Sequence, residues 1–229
     1  MNIFHFLAEL VGFSVCHQLP ERSMLLGITY MPVCTRCSGL YVGFFLSTLL
    51  LFLFYRRRQS DMPPLYIIII SCLFIVSTFI DGFLSYLGAY ETSNLIRIIT
   101  GYLSGSGLAV FIFPVFIFQY YSKSSEVKIF NKPRAYILFI SITLLFIAGQ
   151  VLLLIFRPGY FASFFYYFNF FCIIFTFLFS NLVLSLLIPP FMQKNEKFFS
   201  SRLLLPLFIA VVLSFIELFI SYRLHLWLQ

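Results

Sequence analysis

Six long apolar runs dominate the chain, at 38–55, 65–87, 95–121, 135–156, 161–188 and 203–222. Each is close to or beyond the roughly 20 residues that a helix needs to cross the hydrocarbon of a bilayer. Without water, each run must satisfy its own backbone N–H and C=O groups, which a helix does and a lone strand cannot. The first run is slightly short and the third and fifth are long, differences that tilt absorbs. The expected fold is all-α, a polytopic membrane helix bundle of about six transmembrane helices. Composition agrees: of 229 residues, 61% are hydrophobic and 10% charged, with 33 Phe and 14 Tyr. A soluble domain has no means of hiding that much apolar surface. A single integral membrane domain over 1–229 fits, with 1–37 as an N-terminal segment and 38–222 as the bundle.

The formal charge of +7 does not point to nucleic acid, because its residues lie in short loops between apolar runs. Loop 56–64 carries Arg56, Arg57 and Arg58; loop 122–134 carries Lys123, Lys128, Lys132 and Arg134; loop 189–202 carries Lys194, Lys197 and Arg202. The opposite side has only Arg22, Arg36, Arg97, Arg157 and Arg223. Basic loops stay in the cytoplasm, so both termini and residues 1–37 are expected to be extracytoplasmic. Residues 1–15, "MNIFHFLAELVGFSV", lack a basic n-region and a small-residue cleavage site, so they do not read as a secretory signal. At helical spacing Asn2, His5, Glu9 and Gly12 share one face, and Ile3, Phe6, Leu7, Leu10 and Phe13 share the other. That pattern predicts a short amphipathic interfacial helix, on the membrane surface or packed on the bundle.

Charges inside spans are costly and usually face protein or water. Asp81, Arg97 and Glu217 are such residues, and the topology puts all three in the outer half of the membrane. Asp81 and Arg97 flank the turn 88–94, where an ion pair between them is easy to build, and Glu217 could reach Arg36, Arg97 or Arg157. A structural clasp and a snorkelling carboxylate explain them equally well one by one. Together with cysteines and a histidine at the same depth, they point to a site. Gly39 and Gly43, and Gly101 and Gly105, form G-x-x-x-G steps that let helix backbones approach. Arg97 continues the second step, so the third span is expected against the first, bringing Arg97 toward Arg36.

Three of the five cysteines cluster early, at 16, 34 and 37, whereas Cys72 and Cys172 lie in apolar runs and read as buried small hydrophobes. As metal ligands, Cys34 and Cys37 supply a C-x-x-C, with Cys16 and His17 nearby, and Cys₃His is an accepted zinc set. Neighbours in sequence rarely both reach one metal, so His5, Asp81 or a water are further candidates for the fourth position. As redox residues, Cys34 and Cys37 sit at a helix N-terminus with an arginine between them, which favours the thiolate, and Cys16 is the exchanging partner. This arrangement is similar to the C-x-x-C of quinone-dependent disulfide oxidases of bacterial membranes, which use a second cysteine pair where this chain has only Cys16. A structural disulfide from Cys16 is the plain alternative.

"CHQLPERS" (16–23) followed by "VCTRCSGLYVG" (33–43) resembles the signature of a family of small polytopic prokaryotic membrane proteins with no assigned activity. Cys16, His17, Gln18, Pro20, Arg22 and Ser23 match its first part; Cys34, Arg36, Cys37, Gly39, Tyr41 and Gly43 match its second. "DG" at 81–82 and "RIITG" at 97–101 resemble later landmarks, over roughly 12–110 in all. The resemblance implies a multi-pass protein of the prokaryotic plasma (inner) membrane and supplies no reaction.

Three functions follow. In the first, Cys16, His17, Cys34 and Cys37 hold Zn2+, and Arg22, Arg36 and Arg97 receive an anionic group such as a lipid phosphate. Arg36, Asp81 and Arg97 are then the candidate catalytic residues. The aromatic stretch 161–171 either walls an acyl or isoprenoid chain or forms an ordinary interfacial belt. The second is a thiol–disulfide oxidoreductase using Cys34, Cys37 and Cys16, with a quinone between aromatic helices. The third is a small transporter or lipid flippase lined by Asp81, Arg97 and Glu217, against which the inner halves of the spans offer few polar residues.

Overall fold

The computed structural model describes residues 3–55, 59–88, 90–121, 125–189 and 201–228. In chain order its elements are α1 (Ile3–Val15), a hairpin of β1 (Ser23–Leu26) and β2 (Thr29–Cys34), α2 (Thr35–Tyr55), β3 (Gln59–Asp61), α3 (Leu65–Tyr86), α4 (Asn94–Tyr120), β4 (Ser125–Lys128), α5 (Pro133–Phe156), α6 (Ala162–Leu186) and α7 (Leu204–Leu228). Helices α2 to α7 are the six long and apolar enough to span a membrane. Arg56, Arg57, Arg58, Lys123, Lys194 and Lys197, on which much of the charge asymmetry rests, lie outside the described residues, as does Asn2.

Helix boundaries follow local chemistry. Ser93 caps α4 by accepting from the Ile96 N–H at 3.3 Å, and Pro133 opens α5 where its missing N–H costs nothing. Two boundaries differ usefully from expectation. Helix α2 starts at Thr35 rather than 38, so Arg36 and Cys37 ride on its first turn; α7 runs to Leu228 rather than 222.

Helix α4 is the hub, with 67% of its apolar window buried against 17% for α3 and for α7. Its closest partner is α2, as the glycine steps predict. A Cβ on Gly39 or Gly43 would stand 2.5 Å from the Ile98 or Tyr102 carbonyl oxygen, and one on Gly101 or Gly105 closer still to Arg36 and Leu40. No side chain fits there, so the two backbones are in contact over two turns. Ser47 adds a hydrogen bond to Ser106 Oγ at 2.8 Å across the same seam.

Toward the β3–β4 end, aromatic rings fill the core: Phe52 meets Phe113 edge-on at 5.0 Å, and Phe175 stacks on Phe179 at 5.5 Å. The short parallel pair β3–β4 closes that end. At the other end, α1 and the β1–β2 hairpin pack on α5, α6 and α7. Helix α1 lies inside out relative to a soluble amphipathic helix. Ala8, Gly12 and Ser14 are buried, while Ile3 is 68% and Phe6 49% exposed. Its His5 ring stacks on Tyr166 of α6, and Glu9 accepts from the Tyr166 hydroxyl at 2.7 Å. An apolar face turned outward in this way suits a lipid interface rather than water. Cys172 is buried as expected, but Cys72 is exposed, on the poorly covered face of α3.

Candidate metal–thiolate and anion site

The three early cysteines meet because the hairpin folds back. Gly27, at φ +59°, makes the turn between β1 and β2, and Ser23 pairs with Cys34. Gln18 donates from Nε2 to the Pro32 carbonyl at 2.8 Å, while Thr35 Oγ1 donates to the Arg22 carbonyl at 2.7 Å. Gly12 lets that strand approach α1: a Cβ there would come within 2.8 Å of Gln18 Nε2 and nearer still to Pro32 O. Gln18 itself has φ 51°, a conformation uncommon outside glycine and held here by these contacts.

The Sγ atoms of Cys16, Cys34 and Cys37 lie within 4.8 Å of one another. Thiolates on one zinc, at Zn–S of about 2.3 Å in a tetrahedron, stand about 3.8 Å apart, so the cluster needs only a small contraction. The Cys34 N–H donates to Cys16 Sγ at 3.2 Å, a bond that favours negative charge on sulfur. Val33 and Ile173 pack beside the sulfurs, with Tyr41 and Phe177 partly covering them. Hydrogen bonds from the Cys16 and Cys37 thiols, with the Arg36 charge, hold the Cys34 thiol well below its usual range. The hydrogen bond to Cys34 and burial push Cys16 up to about 11.

His17 is not in the sulfur cluster. Its exposed ring stands edge-on to His225 of α7, centroids 4.7 Å apart, because the chain direction that turns Cys16 inward turns its neighbour outward. His5 is held against Tyr166, and both oxygens of Asp81 are already accepting hydrogen bonds. Among the described residues, the sulfur cluster therefore offers three ligands.

The charges pair differently from expectation. Asp81 takes Arg36 rather than Arg97: Arg36 Nε donates to Oδ2 at 2.8 Å and Nη2 to the same oxygen, while Thr92 Oγ1 at 2.8 Å and the Tyr90 hydroxyl donate to Oδ1. Gly82 leaves room for the guanidinium, 3.6 Å from where its Cβ would be. The early start of α2 is the reason, since it carries Arg36 to the level of Asp81. Arg97 is 7% exposed, donates at 3.2 Å to Asn94 Oδ1 and at 3.4 Å to Ser85 Oγ, and its Nε has no partner. Among the described residues it has no carboxylate partner. Among the described residues, Glu217 pairs with none of the arginines. The longer α7 places it mid-helix, where Oε2 accepts from Asn181 Nδ2 at 2.7 Å.

A cavity of about 420 Å³ joins these groups, with Cys34, Cys37, Arg22, Arg36, Arg97 and Tyr86 among its walls. That volume suits a small ligand. The aromatic stretch 161–171 contributes nothing to its lining; Phe165 and Tyr166 pack against the hairpin side instead. Tyr90, Thr92, Ser85 and Asn94 were not singled out by sequence. The only signal was that a buried carboxylate and a buried guanidinium need donors and acceptors nearby.

The model of a family described as predicted membrane protein, DUF2085, matches residues 16–111. An uncharacterised protein of Methanothermobacter thermautotrophicus is 38% identical over 96 residues, 42% of this chain and 82% of that protein. A second, of Methanocaldococcus jannaschii, is 29% identical over 109 residues, 48% of this chain and 68% of that protein. No solved structure matches. The three cysteines and Arg22, Arg36, Asp81 and Arg97 all fall within the matched span.

Proposed function

The chain belongs to DUF2085, a family of predicted membrane proteins, and from that premise we propose that it is a metal–thiolate protein of the prokaryotic plasma membrane, with its cysteine end extracytoplasmic. Cys16, Cys34 and Cys37 hold Zn2+, and the adjoining arginines receive an anionic, lipid-like ligand. The observation that carries this reading is the convergence of three sulfurs within 4.8 Å on the wall of a cavity that also bears three arginines. Structural zinc sites are closed by four protein ligands, whereas three leave a position for water or substrate. An ion so held can polarise a bound oxygen or activate water, chemistry for which Arg36, with Asp81 orienting it, and Arg97 are placed as charge partners.

A thiol–disulfide oxidoreductase is the second reading. It is favoured by the low-lying Cys34 thiol beside two others, with Cys34 and Cys37 as the active pair and Cys16 as the exchanging partner.

One measurement separates the two: metal content of gently purified protein by elemental mass spectrometry, with free thiols counted on the same sample. About one zinc per chain, lost in a Cys34→Ser/Cys37→Ser variant, is expected. No metal, with two of the three thiols blocked to alkylation until reduced, would sink the zinc reading and leave the redox one.

A further inference from the structure

The two central arginines differ in kind. Arg36 is neutralised by Asp81 and held by it, whereas Arg97 is a buried cation whose Nε has no acceptor among the described residues. Burying a guanidinium without a counter-charge is strongly unfavourable. Arg22 and Arg36 add their own charges to the same cavity and repel it. Something negative belongs beside Arg97.

The charge present says how much. Three thiolates around a divalent ion leave one negative charge, and Arg36 is offset by Asp81. Arg22 and Arg97 then leave the cavity one positive charge in excess. Its size accommodates a lipid headgroup, and Tyr86, 81% exposed at the end of α3, stands at its rim. Tyrosine at such a position sits at the level of lipid headgroups.

We infer that Arg97 is the receptor for a monoanionic phosphate group, a phosphodiester headgroup, whose oxygen takes the position that the three cysteines leave open on the metal. Arg97 supplies its guanidinium, and Arg22, on the wall of the same cavity, adds a second positive charge. Arg36, held in place by Asp81, borders the same cavity as a charge already offset. The inference deepens the metal reading and rests on it.

The test uses the full chain with cobalt(II) in place of zinc, reconstituted in phosphatidylcholine nanodiscs. The visible cobalt spectrum is followed while phosphatidylglycerol or, separately, inorganic phosphate is added. A saturable change with phosphatidylglycerol is expected. In Arg97→Gln, cobalt is still bound and about tenfold more lipid is needed for the same change. A response to phosphate alone supports the receptor and assigns it to a soluble phosphate. Bound cobalt that answers neither anion overturns the inference and leaves the metal site standing, while absence of bound cobalt removes both. An equal response in Arg97→Gln and wild type overturns the role of Arg97. Should that variant not fold, Arg97→Met is titrated in its place and read in the same way.

Discussion

Arg36 and Arg97 are the same residue type at one end of one bundle, and they should respond oppositely to mutation. Asp81 is 4% exposed, and its acceptors are filled by Arg36, Tyr90 and Thr92. Asp81→Asn strands the Arg36 charge and is expected to cost about 3–5 kcal/mol in a detergent or urea unfolding assay, whereas removing both partners costs less. Arg97→Met removes a cation with no counter-charge of its own, so it should be neutral or stabilising in the same assay without ligand. The thiols divide similarly. Cys34 is held below the ordinary thiol value of about 8.5, so its contribution to stability is full above that value and is lost as pH falls through its folded pKa. Cys16 is raised to about 11, so its contribution is present at low pH and lost as pH rises through that value. After chelation, iodoacetamide is therefore expected to modify Cys34 near neutral pH while leaving Cys16 untouched; equal rates at the two would contradict this assignment.

Between helices, the α2–α4 seam makes the sharpest demand. A methyl group on Gly43 or Gly101 meets backbone carbonyls, not flexible side chains, so relief requires the helices to separate. Gly43→Ala or Gly101→Ala should therefore lose about 1–3 kcal/mol, seen as a lower melting temperature. Gly149 in α5 has nothing within 4 Å of where a Cβ would stand, so Gly149→Ala is the control and should be silent or slightly stabilising. Because α2 also carries Arg36 and Cys37, spreading this seam should weaken metal retention before it unfolds the bundle. The hairpin acts more locally. Gly27 at φ +59° faces Gly159 across the α5–α6 turn, where a Cβ would come 2.8 Å from the Gly159 Cα. A side chain at Gly27 should loosen Cys34 from Cys16 without disturbing the spans.

For the molecule as a whole, His17 meeting His225 puts the start of the chain and the end of α7 at one face of the bundle. The orientation expected from the basic loops makes that face extracytoplasmic. In intact cells a membrane-impermeant maleimide should reach the chelated cysteine site, while a cysteine placed in loop 122–134 should react only after lysis. Six spans and the short helix before them were readable from run length and charge, because hydrocarbon thickness and backbone satisfaction act locally along the chain. The contact of α2 with α4 was readable too, since glycine spacing marks where backbones can touch. Which charges pair was not. Asp81 is nearer Arg97 in sequence and yet bonds Arg36, because α2 begins at Thr35 and puts Arg36 on its first turn, from which the long side chain reaches Asp81 of α3. Glu217 moved out of the arginine cluster for the same kind of reason, through the length of α7. In lipid every face of a span is apolar, so no polar stripe announces which side turns inward. Sequence alone thus determined what crosses the membrane and which residues are chemically capable. Only the tertiary structure decided which of them meet, because the meeting depends on contacts between helices that no local pattern encodes.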